Sequence, residues 1–226
     1  MVNIYSVSIT QHDCPHTFVT SRIPGLTIFI MNTMDSGRKY QKTLSIFYAK
    51  SSAELQETVK LMQNYEGLRD LEVLGMGSNT MSLLYSFPKT SAYRWVSGVG
   101  FRMHPIVVRN GEEKWFFVSQ KQQKVSQIER DLSDGNTSIL HARKLTTANF
   151  INEYSSLFSD VWKIRLETLA GEGVVNLLMQ ALNFGFYDWP RKSSLSELSQ
   201  TVKLPRSTLT YRLRKIEKII IQDIGK

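Results

Sequence analysis

Residues 11–16 read QHDCPH and gather the chain's only cysteine, Cys14, two of its four histidines, His12 and His16, and the carboxylate of Asp13. Imidazole, thiolate and carboxylate are donors for first-row metals. A cysteine beside a histidine is also the pairing that activates a thiol. Zinc sites made of sequence-local ligands usually show two closely spaced pairs, whereas this is one cluster. On a strand, residues 12, 14 and 16 would share a face, but Pro15 argues against a regular strand there. On a loop leaving IYSVSIT the three side chains could converge, and His104 and His141 join them only if the fold brings them in. Three readings stay open for His12, Cys14 and His16: a structural loop, a metal or small-effector site, and a redox-responsive thiol that would need a lowered pKa. No cofactor is assigned, and a metal ion is the one candidate.

The second chemical signal is positive charge. Of the net charge of +8, the last 39 residues carry +5, with nine Lys/Arg against four Asp/Glu. A basic C-terminal module implies a polyanionic partner unless its charges are only a solvated helix face. The pattern within the tail decides between them. SLSELSQTVKL opens on Ser194 with Glu197 three residues on, a capping box, and turns Leu195, Leu198 and Val202 inward. KLP makes a turn, and Pro205 suits a helix start because its missing N–H would go unsatisfied there. In RSTLTYRLRKIEKII, Leu209, Leu213, Ile216 and Ile220 form a narrow apolar stripe. Ser207, Tyr211, Arg214 and Lys218 occupy the opposite face, flanked by Thr208, Thr210 and Lys215. A short helix, a tight turn and a helix with a basic, hydrogen-bonding outer face is the form of a helix-turn-helix, whose second helix enters the major groove.

The segment ALNFGFYDWPRKSSLSELSQTVKLPRSTLTYRLRKIEK resembles the archaeal helix-turn-helix domain of bacterio-opsin activator-type transcription regulators. The resemblance rests on Gly185, Phe186, Tyr187, Asp188, Pro190 and Arg191, then Leu195, Glu197 and Leu198, then Arg206, Ser207, Thr208, Leu209, Leu213 and Arg214. It covers about the last 55 residues and implies a sequence-specific regulator. Lys203 stands where the family usually has a small glycine, so the turn must find its φ elsewhere or adopt a variant geometry. Pro205 replaces the usual serine cap. The expected DNA contacts are Arg191, Lys192, Arg206, Ser207, Thr208, Thr210, Tyr211, Arg214, Lys215 and Lys218, with the recognition helix at about 205–220.

Ahead of this module the chain reads as α+β. LTIFIMNT and TLSIFYAK are strands flanking the turn-like DSGRKYQ. SSAELQETVKLMQNYEG is a helix facing Leu55, Val59 and Met62 inward, and LEVLGM and MSLLYSF follow as strands. The order then recurs. GFRMHPIVV and EKWFFVSQ flank Asn110-Gly111, a hairpin signal. KQQKVSQIERDLSDG is a helix with Val125, Ile128 and Leu132 on one side, and TSILHARKL is a strand. Two hairpin–helix–strand units suggest an internal duplication, two ferredoxin-like halves sharing a core. A connecting helix carries Phe150, Tyr154, Leu157, Phe158 and Val161. The expected divisions are an α+β sensor or dimerisation domain at 1–145, the connecting helix at 146–165 and an all-α helix-turn-helix domain at 166–226.

No Gly-rich phosphate loop follows a strand, and there is no Gly-x-Ser-x-Gly elbow or His-Glu-x-x-His, so a non-enzymatic protein is expected. The N-terminus alternates and lacks a leader pattern, no apolar run approaches a membrane span, and a single cysteine suits a reducing interior. These features predict a cytoplasmic protein with no membrane partner. The helix-turn-helix pattern adds double-stranded DNA, and a homodimer with a small-molecule or metal effector is what the resemblance to such regulators implies. The rival reading is a ligand- or metal-binding interaction protein whose basic tail contacts a protein partner.

Overall fold

The computed structural model describes residues 2–133, 135–171 and 173–224, with the side chains at 158, 160, 164, 165, 223 and 224 excepted. It divides into two compact units, Met1–Leu157 and Phe158–Lys226.

The first unit is one eight-stranded antiparallel sheet with helices α1–α4 set into the chain order β1(Asn3–Gln11) α1(Pro15–Thr20) β2(Thr27–Ser36) β3(Tyr40–Tyr48) α2(Ser52–Gln63) β4(Arg69–Met76) β5(Thr80–Pro88) α3(Ser91–Val99) β6(Phe101–Arg109) β7(Glu112–Ser119) α4(Val125–Leu132) β8(Thr137–Leu145). Alternation drives the strands: Gln41, Thr43, Ser45 and Phe47 of β3 are buried while the residues between them are not. The Asn110-Gly111 turn forms as expected, with both φ values positive at 53° and 77°, and the two residues join β6 to β7 directly. Helix α2 starts on Ser51, whose side chain accepts from the Glu54 amide, and buries Leu55 and Met62.

Both hairpin–helix–strand units are present, and each is preceded by a strand, β1 or the expected MSLLYSF strand β5, and by a short helix that the sequence pattern does not announce. Helix α1 was expected as a loop, because at six residues it is too short to show a period. Helix α3 (SAYRWVSGV) went unread between two strong strands. With them, the chain is strand–helix–strand–strand–helix–strand twice over. The sheet order β4-β5-β3-β2-β6-β7-β1-β8 shows how the halves combine. The pairing places β5, the first strand of the second half, between β3 and β4 of the first half. Reciprocally, β1 lies between β7 and β8. The halves are thus ferredoxin-like and have exchanged first strands, meeting at the β2–β6 pair. One apolar core, including Tyr5, Val7, Ile28, Phe47, Leu83, Trp115 and Phe117, runs through both.

Helix α5 (Thr147–Ala170) extends beyond the expected end at 165. Its first turns pack on the outer face of the second half: Phe116 meets the rings of Phe150 and Tyr154, and Glu153 pairs with Arg143 at 2.5 Å. Leu157 is buried and Val161 is 38% exposed, so the expected stripe ends there, and the Phe158 side chain lies outside the described residues.

The second unit comprises the end of α5 with α6 (Val174–Asn183), α7 (Leu195–Thr201) and α8 (Arg206–Ile224). Its core is Leu166, Val174, Leu177, Ala181, Phe186, Leu198, Leu209, Leu213 and Ile216. Leu182 of α6 is 46% exposed. No described helix is long and apolar enough to cross a membrane.

Candidate functional site

The C-terminal unit presents α8 through a chain of local devices. Glycine at 185 has φ +68° and closes α6, and a Cβ there would lie 2.8 Å from the Lys192 Cβ. Its carbonyl accepts from the amides of Asp188 and Lys192. The Asp188 carboxylate and Lys192 ammonium pair at 2.7 Å, and the Arg191 guanidinium sits 4.7 Å over the Phe186 ring. The Tyr187 hydroxyl donates to Glu217 of α8 at 3.0 Å, binding this clasp to the last helix. The capping box of α7 is complete in both directions between Ser194 and Glu197. The turn finds its φ at Lys203 itself, which adopts +54°, so a side chain occupies the left-handed conformation that glycine takes most cheaply. Pro205 precedes α8 and caps it through its carbonyl, which accepts from the Leu209 amide at 2.9 Å.

Within α8 the two faces separate as the spacing predicts. Leu209, Leu213 and Ile216 are buried, and Ile220 packs on them partly exposed. Arg206, Ser207, Tyr211, Arg214 and Lys218 are exposed, with Tyr211 at 68%. Three of the expected contacts are less free. Thr208 is half-buried, Thr210 donates its hydroxyl to the Arg206 carbonyl, and Lys215 donates to the Ala170 carbonyl at the end of α5. Arg191 and Lys192 are exposed but held in the clasp.

The N-terminal unit holds the other cluster, and here burial dominates. Cys14 is the last extended residue before α1, Pro15 is the first helical residue, and His16 follows in the first turn. Both Cys14 and His16 point inward, whereas His12 is exposed. They meet Glu113, which lies on the inner face of β7 in phase with Trp115 and Phe117. The thiol donates to Glu113 Oε1 at 2.8 Å and lies 3.2 Å from His16 Nδ1. His16 Nε2 bonds the Tyr85 hydroxyl, which lies 2.9 Å from Ser45 Oγ. Gln11 Nε2 donates to Glu113 Oε2 at 2.8 Å. Burial pushes the Cys14 thiol well above its ordinary range, and the Glu113 charge adds to this. Burial, then the positive charge of Arg102, holds the His16 pKa down at about 3, so its imidazole is neutral. Burial raises the Glu113 carboxyl, opposed by the Cys14 hydrogen bond, Arg102 and Gln11. A buried thiol with a raised pKa lacks the thiolate character that the redox reading required.

A family model of an N-terminal domain, HVO_2525_N, matches residues 4–137, more than half of the chain. The chain belongs to the HVO_2525 family. A second model, for an HTH DNA binding domain of the bacterio-opsin activator type, matches residues 174–222. No curated protein matches the chain. The HVO_2525 match runs from β1 to the start of β8, and the HTH DNA binding domain match covers α6, α7 and most of α8.

Within the HVO_2525 domain, QHDCPH is split. Gln11, Cys14 and His16 enter the cluster, while Asp13 accepts from the Ser91 amide at 2.9 Å at the start of α3. His104 is partly buried on β6 and His141 is exposed on β8, and neither belongs to the Cys14 cluster. Glu113 escaped sequence reading because it sits 99 residues from Cys14. The signal was there: an acidic residue at an inward position of an otherwise aromatic strand.

Proposed function

We propose that this HVO_2525-family protein is a sequence-specific transcription regulator whose α8 enters the major groove, as a homodimer that pairs two half-sites. The observation that carries this reading is the outer face of α8. Ser207, Tyr211, Arg214 and Lys218 stand exposed opposite the buried Leu209, Leu213 and Ile216, in a unit that matches an HTH DNA binding domain. Arginine and lysine neutralise phosphates, and serine, tyrosine and arginine reach base edges. One such helix contacts few bases, and two-fold pairing across half-sites about 34 Å apart supplies the missing specificity. The interface is assigned to α5 or to an edge strand of the sheet, β4 or β8. The HVO_2525 domain supplies dimerisation or effector sensing.

The test is binding to the protein's own promoter DNA over a salt series, beside Tyr211→Ala and Arg214→Ala. Affinity is expected to fall steeply with salt, and each variant to lose about 1–3 kcal/mol of preference for the promoter over random DNA. Equal binding to both DNAs at moderate salt would remove the reading and favour a basic tail that contacts protein. A monomeric mass with and without DNA would remove the dimer.

A further inference from the structure

We infer that Cys14, His16 and Glu113 bind a first-row divalent metal ion, zinc above others, inside the HVO_2525 domain. One donor atom from each residue lies within 4.8 Å of the other two. The residues are 2%, 1% and 1% exposed, and they are joined by the Sγ–Oε1 and Sγ–Nδ1 contacts of 2.8 and 3.2 Å. A sulfur, a nitrogen and an oxygen donor suit zinc or cobalt(II) better than the all-oxygen preference of magnesium or calcium. Tetrahedral zinc spaces such donors about 3.3–3.6 Å apart. The Sγ–Oε1 and Sγ–Nδ1 pairs would therefore each open by less than about 1 Å.

The surroundings fit a ligand set. Metal-binding histidines use the second ring nitrogen on an outer partner that fixes the ring, and His16 Nε2 does this with Tyr85, itself bonded to Ser45. A thiolate and a carboxylate balance the two charges of the ion, so the loaded site buries no net charge of its own. On binding, the Sγ–H bond is replaced by an Sγ–metal bond and the proton leaves to solvent. Gln11 points to the same ligand independently: it is 4% exposed, its Nε2 is bonded to Glu113, and its buried Oε1 has no partner. That amide oxygen is the candidate for a fourth donor. Gln11, bonded to Glu113, also lines a cleft of about 490 Å³ with His12, Thr17 and Arg22.

The experiment is a cobalt(II) titration of the full chain after treatment with a chelator, followed by zinc. The expected result is one cobalt per chain with a thiolate-to-cobalt charge-transfer band, which zinc then bleaches. Cys14 is the only cysteine, so the band reports this site without a variant. The band should vanish when the chain is unfolded in urea, which keeps the test decisive even if a variant fails to fold. Glu113→Gln should weaken cobalt binding at least about 10-fold. His12→Ala, altered outside the cluster, should leave it unchanged. A folded wild-type chain with no charge-transfer band would overturn the site, as would undiminished affinity in a folded Glu113→Gln chain. No DNA enters these measurements, so their failure leaves the regulator reading standing.

Discussion

In the sheet unit the groups with the richest chemistry are packed away, with Cys14, His16 and Glu113 each 2% exposed or less, whereas in the helical unit Tyr211 is 68% exposed. The sheet unit holds its polar groups in place by hydrogen bonds across distant segments, such as Asp13 to Ser91 and Gln11 to Glu113. The helical unit adds contacts between near neighbours in the chain, such as Ser194 with Glu197 and Asp188 with Lys192, to longer ones such as Tyr187 with Glu217. Burial raises the free-energy cost of every unpaired charge, so the first unit's polar residues must satisfy one another. An exposed face is free to meet a partner, and its residues can change at little cost to folding.

The sharpest way to break this comparison lies inside α8. Leu213→Ala, which empties part of the buried stripe, is expected to destabilise the helical unit by about 2–5 kcal/mol. Tyr211→Ala, two positions away on the outer face, should stay within about 0.5 kcal/mol of wild type. Thermal unfolding of the two variants side by side measures the contrast. Equal losses would mean that the outer face is packed and not presented.

The next effect belongs to the sheet unit and is read as stability against pH. Burial, then the charge of Arg102, depresses the His104 pKa to about 4. Below its ordinary value of about 6.5 the unfolded chain takes up a proton that the folded chain refuses until about pH 4. The unfolded state therefore binds more protons in that window, and folding stability falls as pH drops through it. His104→Gln should remove roughly 2 kcal/mol of that loss between pH 7 and pH 4, measured by urea unfolding. An unchanged pH slope would place His104 in water.

The smallest effect sharpens the view of the turn. Lys203 holds φ +54°, so Lys203→Gly is expected to stabilise the helical unit by about 0.5–1 kcal/mol. No gain in denaturant midpoint would mean that the lysine side chain compensates for its backbone.

The helical unit was legible in the chain because its determinants are local. The capping box at Ser194, the Gly185 closure and the Leu209–Leu213–Ile216 stripe are each made by residues a few positions apart, where backbone geometry forces contact. Strand alternation and the Asn110-Gly111 turn likewise announced the hairpins. Helices α1 and α3 were hidden because a six-residue helix and one of nine residues lying between strong strands carry little periodic signal. The exchange of β1 and β5 between halves was invisible for a different reason. Either half could have paired with its own first strand by the same alternation, and only the packing of the whole sheet selects among equivalent partners. The same long-range pairing of β1 with β7 sets Ile9 opposite Glu113 and so brings that carboxylate to Cys14 and His16. The residue types of QHDCPH announced a donor cluster, but its membership, with Glu113 in and His12 out, depended on contacts across about 100 residues that no local energy term specifies.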